Sequence, residues 1–345
     1  MQQLFKPAKR KTLKYLLSTA SLAAGSPVLY SAPAFSAGKA LMPVNFGLDW
    51  SLYGTHAAFF LGLKNGLYAK EGLDVKITEG SGSATLAQQI ARGNQDLGFQ
   101  DFATMIRGVE QKLPIIAVMR VLSGALCVIS RADKPIKTPK ELEGHTMAYS
   151  PAESSAQILP ALLAKNGVDA SKIEVIQPAA TAKLALFLQG RVDAIPGNVN
   201  QQVAQAEEKG IKVHYFRFSD FGVNMLANGI VSNTEFAKKN PEAVRGFVRA
   251  TRAAFEQAAK NPEAAVDALL SYYPQQADTR STLLRQWELS LPAFETPYTA
   301  GKPLGWMDER DWQETQDILL KYGGLPKATA MNLLYTNQYL PENGN

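Results

Sequence analysis

Four residues that could bind a polar or aromatic ligand lie close together near the start of the chain: Asp49, Trp50, Tyr53 and His56. They follow a short apolar segment, residues 44–48, that predicts a β-strand. Ligands of open α/β sheets bind just beyond the carboxyl ends of strands, so these side chains are placed for a cleft. An indole offers a ring face and one N–H donor. We therefore expect Trp50 or Tyr53 to stack on a ligand and His56 to form a hydrogen bond with it.

Two serine-rich loops each connect a predicted strand to a predicted helix, at residues 81–85 and 150–156. Ser and Gly before a helix supply N-cap acceptors and leave backbone N–H groups open to a ligand. For the first loop alone, an ordinary Gly/Ser turn that caps its helix explains the residues equally well. Because each helix N-terminus carries a partial positive charge of about half an electron, two such loops facing one cleft favour an anionic or strongly hydrogen-bonding ligand. The contacts predicted from these loops are Ser81, Gly82, Ser83, Ser150, Glu153, Ser154 and Ser155.

Polar residues also follow two other predicted strands. Asp101 and Phe102 come after the strand predicted at residues 96–99, and Asn198 comes after the one at residues 193–195. Asp101 could pair with an amino group of a ligand, or it could simply cap the next helix, which is a common role for Asp. We include all three residues among the predicted ligand contacts.

Strand patterns alternate with helix patterns along most of the chain, which predicts α/β lobes with mainly parallel sheets. If a leader of 36 residues is removed, roughly 309 residues remain. Single cores stop growing at about 250 residues, so we expect two lobes. We place the first crossing between them at residues 130–133 and the return at residues 229–232. This gives lobe 1 as residues 37–130 plus 232–345 and lobe 2 as residues 131–231.

The first 36 residues have the three-part pattern of a secretory signal peptide, with a disordered basic tail as the alternative. They contain five basic residues and no acidic one, and removing them leaves 31 basic and 31 acidic residues. The excess of basic residues therefore lies in the leader, and it does not indicate a nucleic-acid partner. Cys127 is the only cysteine, which excludes an intramolecular disulfide and a thiolate metal cluster. We expect a soluble, monomeric, periplasmic protein with Cys127 buried as a small apolar residue.

A family resemblance is carried by several motifs. The W-x5-H pattern of Trp50 and His56, followed by G-L-Y-x-x-E-G-L-D-V, resembles the first motif of substrate-binding proteins of nitrate, taurine and alkanesulfonate importers. It most closely resembles the branch containing thiamine-pyrimidine-precursor binding proteins and the fungal pyrimidine synthase. The stretches at residues 93–101, 219–224 and 335–341 resemble further family motifs, and the second of them adds Asn224 to the predicted site. The resemblance implies the type II periplasmic-binding-protein fold: two α/β lobes, a ligand cleft and two crossings.

The resemblance implies a binding protein that captures a small polar, aromatic or anionic organic solute by hinge closure and delivers it to an ABC permease in the inner membrane. We expect no catalytic residues, no metal and no cofactor. The alternatives are an enzyme of the same fold and a periplasmic ligand sensor. The synthase's cofactor lysine would fall at Gln100, its consumed histidine at Thr104, and its cysteine-rich run near residues 221–225, which contain no cysteine. A desulfinase would need a nucleophilic cysteine, for which Cys127 is badly placed.

The ligand's identity stays open at this point. In the precursor-binding branch a carboxylate after a strand of the second lobe holds the aminopyrimidine, and here the equivalent residue is Asn198 or Val199. An amide can both donate and accept hydrogen bonds. The sequence therefore allows another heteroaromatic compound, a sulfonate or a carboxylate.

Overall fold

The computed structural model describes residues 40–151 and 153–341, so the predicted leader lies outside the described residues. The strands are β1 (Met42–Gly47), β2 (Leu73–Thr78), β3 (Leu97–Asp101), β4 (Ile115–Arg120), β5 (Leu126–Arg131), β6 (Thr146–Ala148), β7 (Glu174–Ile176), β8 (Ala194–Asn198), β9 (Val213–Arg217) and β10 (Asn228–Asn233). The α-helices are α1 (Ala57–Lys64), α2 (Leu67–Lys70), α3 (Ser83–Ala91), α4 (Phe102–Glu110), α5 (Ser154–Lys165), α6 (Ala180–Leu188), α7 (Ala204–Glu208), α8 (Thr234–Lys239), α9 (Pro241–Lys260), α10 (Pro262–Tyr272), α11 (Arg280–Ser290), α12 (Glu309–Lys321) and α13 (Met331–Leu334).

The strands form two five-stranded sheets, which confirms the two-lobed α/β architecture. The first sheet has the order β2-β1-β3-β10-β4, and the second has the order β7-β6-β8-β5-β9. In each sheet one strand runs antiparallel to its two neighbours: β10 in the first and β5 in the second. The carboxyl ends of β1, β2 and β3 therefore meet at one edge of the first sheet, and those of β6, β7 and β8 meet at one edge of the second.

The first crossing lies earlier than the sequence predicted. The chain leaves the first sheet after β4, and β5 already pairs with β8 and β9 in the second sheet. The predicted position at residues 130–133 was wrong because the apolar residues of β5 are buried, and burial alone does not tell which sheet a strand joins. The chain returns between β9 and β10. The two crossing segments pair with each other, since the Gly124 N–H donates to the Met225 carbonyl over 2.9 Å.

An aromatic cluster forms the centre of the core of the first lobe. Phe46 of β1 contacts Phe59 of α1 and Phe247 of α9, with ring centroids 4.9 Å apart in both pairs. Phe99 of β3 contacts Phe59 over 5.3 Å. Helix α9 has its apolar residues on one face, and that face is buried against α1 and β2. This packing fixes β1 and β3, and with them the loops at their carboxyl ends.

The C-terminal helices contact both lobes. Helix α11 packs on α7 and on the π-helical turn Val199–Val203, and Arg285 pairs with Glu207 over 2.7 Å. Helix α12 packs against α4 and α5. Trp287 and Trp312 are fully buried. Cys127 is buried as predicted, and burial raises the pKa of its thiol. Among the described residues, no helix combines the length and apolarity that a membrane span requires.

Candidate functional site

Asp49 lies just beyond the carboxyl end of β1 and accepts hydrogen bonds from three side chains. His56 Nε2 lies 2.8 Å from Oδ1, and Asn228 Nδ2 donates to Oδ2 over 2.9 Å. The Tyr53 hydroxyl donates over 3.3 Å. Asn228 is the first residue of β10, so this carboxylate connects the end of β1 to the start of the strand that returns from the second lobe. These hydrogen bonds to Asp49 fix the conformation of the loop that follows β1.

His56, predicted as a ligand contact, is fully buried behind Asp49. Its Nδ1 accepts from the Tyr53 backbone N–H over 3.4 Å, so Nε2 carries the proton that is donated to Asp49. Both ring nitrogens are therefore occupied, and His56 positions Asp49. Tyr53 is also buried, and burial together with Asp49 raises the pKa of its hydroxyl well above the usual value of 10.0.

Trp50 is the aromatic residue of this segment that faces solvent, with 51% of its surface exposed. The loop after β2 lies against it, because the Gly80 N–H donates to the Trp50 carbonyl over 3.2 Å. A Cβ at Gly80 would lie 1.9 Å from the Leu48 carbonyl oxygen, so only glycine allows this approach. A Cβ at Gly82 would lie 3.8 Å from the indole. An exposed indole next to backbone without side chains is suited to hold a flat ligand.

Ser83 and Asp101 fix the neighbouring part of this edge. Ser83 is the first residue of α3, and its Oγ accepts from the Asp101 N–H over 3.1 Å. Asp101 Oδ1 accepts from the Thr104 N–H over 2.7 Å, so the N-cap role proposed as an alternative is confirmed. Burial raises the pKa of Asp101, and the two hydrogen bonds from Thr104 partly oppose this effect. Ser81 and Gly82 lie in the loop that leads into α3.

Phe102 is placed in the core and not at the cleft. It is fully buried, and its ring centroid lies 4.8 Å from that of Trp312. Gln100 lies two residues before Phe102, in β3. The sequence indicates it only as the position where the related synthase has its cofactor lysine. Gln100 is fully buried, and neither atom of its amide has a hydrogen-bond partner among the described residues. Its polar side chain directly after the apolar residues 97–99 of β3 was the signal that could have identified it.

The second lobe contributes a buried ion pair that the sequence analysis missed. Glu153 precedes α5 and pairs with Lys183 of α6, whose Nζ also donates to the Pro196 carbonyl over 2.8 Å. Lys183 is only 4% exposed. This pair fixes the loop that contains Ser150 against β8. A single lysine within the apolar sequence of α6 was the available signal.

The other predicted residues of the second lobe are placed as follows. Ser155 is buried in the first turn of α5, which begins at Ser154. Asn198 ends β8, is half-buried, and its backbone N–H donates to Gln202 Oε1 over 2.8 Å. Asn224 lies on the second crossing segment and lines a separate pocket beside it. Among the predicted residues, Ser83 is thus joined to Asp101 in the first lobe, and in the second the Glu153 N–H donates to the Ser150 carbonyl over 3.0 Å. Among the described residues, no group of His, Cys, Asp and Glu side chains is arranged to hold a metal ion.

The architecture agrees with solved structures of periplasmic binding proteins. The aliphatic sulphonate binding protein SsuA of Escherichia coli superposes with a TM-score of 0.66 at 17% identity, covering 84% of this chain and 91% of that one. At this identity the agreement concerns the fold. The chain therefore has the periplasmic-binding-protein fold that the sequence predicted.

The sequence family is also established. The model of the family described as NMT1/THI5 like matches residues 54–265, more than half of the chain, and the chain belongs to this family. The riboflavin-binding protein RibY of Chloroflexus aurantiacus is 25% identical over 317 residues, covering 90% of each chain. The formylaminopyrimidine-binding protein of Halalkalibacterium halodurans is 26% identical, covering 80% of this chain and 84% of its own. The pyrimidine phosphate synthase THI13 of Saccharomyces cerevisiae is 22% identical, covering 86% and 87%.

Proposed function

We propose that this protein is the solute-binding component of an ABC importer. It binds a small organic solute between its two lobes, closes around it and delivers it unchanged to a permease in the inner membrane. The observation that carries this proposal is the exposed indole of Trp50 beside Gly80 and Gly82, at the edge where the strands of the first sheet end. We place the loop around Ser150, held by the Glu153–Lys183 pair, on the opposite side of the cleft.

The predicted site favours a neutral or anionic heteroaromatic solute. Trp50, just after β1, offers a stacking face, and the buried, unpaired amide of Gln100 in the neighbouring strand β3 offers an NH2 donor group and a carbonyl acceptor. A ring edge with an adjacent donor and acceptor, as in pyrimidines and flavins, would satisfy both. Relatives named for binding riboflavin and formylaminopyrimidine support this class. A sulfonate would use the α3 and α5 N-termini and would leave Gln100 unpaired.

Calorimetric titration of the purified full chain against riboflavin, aminopyrimidines and taurine tests this proposal. We expect one heteroaromatic compound to bind, and at 100 times its dissociation constant it should raise the free energy of unfolding by about 2.7 kcal/mol. Trp50→Ala should weaken binding roughly tenfold or more, because one aromatic stacking partner is lost. Tyr272→Ala is the matched control, since Tyr272 is an aromatic residue of similar exposure on α10, and this variant should bind normally.

An enzyme of the same fold is the second candidate, because the yeast relative is named as a synthase. Gln100 carries no amine and cannot form a Schiff base, and Thr104 supplies no imidazole. We therefore expect the bound compound to be recovered chemically unchanged after prolonged incubation. Mass spectrometry of the released compound checks this, and any stoichiometric or catalytic conversion would favour the enzyme.

A further inference from the structure

A pocket of about 250 Å³ lies where the two lobes join, beside the paired crossing segments. Ser123 of the first crossing and Leu226 of the second line it. Of the residues predicted to bind the solute, Asn224 alone is among those lining this pocket. It is therefore separate from the edge that carries Trp50.

The pocket is acidic, and its acidic residues come from both lobes. Asp220 follows β9 of the second lobe, whereas Glu295, Asp311 and Glu314 lie in the C-terminal part, which is hydrogen-bonded to β4 of the first lobe through Gly305 and Thr336. None of these four carboxylates forms an ion pair with another described residue. They outnumber the three guanidinium groups nearby: Arg217 in the wall, Arg120 behind it, and Arg310, which stacks over the ring of Tyr298 in the wall. A cation is the ligand that this excess favours.

Ser123 provides a second observation that points to a ligand. It is only 7% exposed, it lines the pocket, and its Oγ has no hydrogen-bond partner among the described residues. Its backbone is held, since its N–H donates to the Ala293 carbonyl over 2.8 Å. A buried hydroxyl without a partner is costly, and a donor from a bound molecule would remove that cost.

The rest of the wall shows what kind of cation would fit. Pro292, Pro297 and Met225 give the pocket apolar surface in addition to the carboxylates. Asp311 is buried, while Asp220 and Glu295 are exposed, so negative charge is present at both the inner and the outer part of the pocket. A single metal ion would leave the apolar surface unused, whereas an aliphatic chain with a charge at each end would contact all of it.

We propose that this pocket is a second binding site, which takes a small organic diamine that bridges the two lobes. One ammonium group binds Asp311 and Glu314 of the first lobe and donates to Ser123 Oγ, and the other binds Asp220 of the second lobe. The methylene groups contact the prolines. Diamine binding at this site does not depend on the solute of the cleft. An experiment that disproves diamine binding therefore leaves the proposed transport function untouched, and the reverse also holds.

Titration calorimetry of the full chain with 1,4-diaminobutane tests the proposal, with 1,4-butanediol as a neutral probe of the same length. We expect one saturable site for the diamine and none for the diol. Asp220→Asn should weaken binding at least about fivefold through loss of one charged hydrogen bond. Asp317→Asn is the matched control, because Asp317 is an exposed carboxylate on α12 that does not line the pocket, and it should have no effect.

Two further variants locate the site and separate binding from folding. Ser123→Ala should weaken diamine binding about 2- to 10-fold without lowering the melting temperature, because its hydroxyl has no partner to lose. Trp50→Ala should leave diamine binding unchanged. Absence of saturable binding, equal weakening by Asp317→Asn, or loss of binding in Trp50→Ala would each overturn the proposal.

Discussion

Two buried glutamines differ in whether their amides are paired, and this difference decides what each does for stability. Gln286 Oε1 accepts from the buried Gly54 N–H over 2.8 Å, whereas the amide of Gln100 has no partner among the described residues. Both side chains are less than 5% exposed. A paired buried amide stabilises the fold, while an unpaired one costs free energy that a ligand can recover.

Replacing these glutamines by methionine, which has a similar shape, should therefore have opposite effects. Gln100→Met should raise the free energy of unfolding by about 1 kcal/mol because an unpaired buried amide is removed. Gln286→Met should lower it by about 1–3 kcal/mol because the Gly54 N–H is left unpaired. Urea denaturation measures both. Equal destabilisation by the two substitutions would contradict the assignment of Gln100 as an unpaired group that awaits a ligand.

Asp311 should make the stability depend on pH. Burial raises its pKa from the usual 3.8 to about 6. Between about pH 4 and 6 the folded state keeps a proton that the unfolded chain has released, so stability falls as the pH rises through this range. The Asn side chain of Asp311→Asn cannot titrate. From pH 4 to 6 the free energy of unfolding of this variant should therefore rise by about 1–2 kcal/mol relative to that of the wild type. One pKa unit corresponds to about 1.4 kcal/mol, and solvent screens part of the effect.

Urea denaturation of the two proteins at several pH values checks this, and the other titrating groups cancel in the difference. Asp317→Asn, an exposed position on the same helix, should show a constant difference from the wild type. If the Asp311→Asn difference did not change between pH 4 and 6, the raised pKa would be ruled out.

At the scale of elements, the Lys183–Glu153 pair connects α6 to the loop before α5. Lys183→Ala should cost about 3 kcal/mol, because it leaves a partly buried carboxylate without its partner. Lys140→Ala is the comparison, since Lys140 pairs with Glu143 over 2.6 Å but is largely exposed, and it should cost less than about 1 kcal/mol. Restoration of stability in Lys183→Ala combined with Glu153→Ala would confirm that the unpaired charge is the cause.

The sequence predicted the positions of the strands more successfully than it predicted which strands pair with each other. Apolar runs located β1, β3 and β8 to within a few residues, because burial and periodicity are local properties of the chain. They placed β5 in the wrong lobe, because the choice between two sheets depends on contacts with β8 and β9, which lie far along the chain.

The candidate site was predictable as a set of loops and less so residue by residue. The carboxyl ends of strands selected Trp50, whose indole is exposed, and Asp101, which takes the helix-capping role given as its alternative; their contacts with a ligand stay predictions. The same rule also selected His56 and Phe102, which are buried, because proximity in sequence does not show which way a side chain points. Lys183 was missed because its partner, Glu153, lies in another element.

At the scale of the whole molecule, closure of the lobes should be measurable in solution. Besides the crossings, the lobes contact each other where Asn200 donates to Thr55 over 3.2 Å and where α11 packs on α7. With these contacts in place, we expect one lobe to move relative to the other by rotation about the crossing segments. Small-angle X-ray scattering should show a smaller radius of gyration when the solute is bound, and a smaller decrease for Trp50→Ala at a solute concentration near the wild-type dissociation constant. Saturated binding without any decrease would contradict hinge closure.

The position of β10 determines the order in which the two sheets can be completed during synthesis. All strands of the second sheet lie within residues 126–217, whereas the first sheet cannot join β3 to β4 until β10, at residues 228–233, has left the ribosome. The second sheet can therefore be completed during synthesis while the first sheet still lacks β10, the strand between β3 and β4. The half of the protein that begins the chain is therefore the half whose sheet can be completed last, and its strand edges stay exposed for longer.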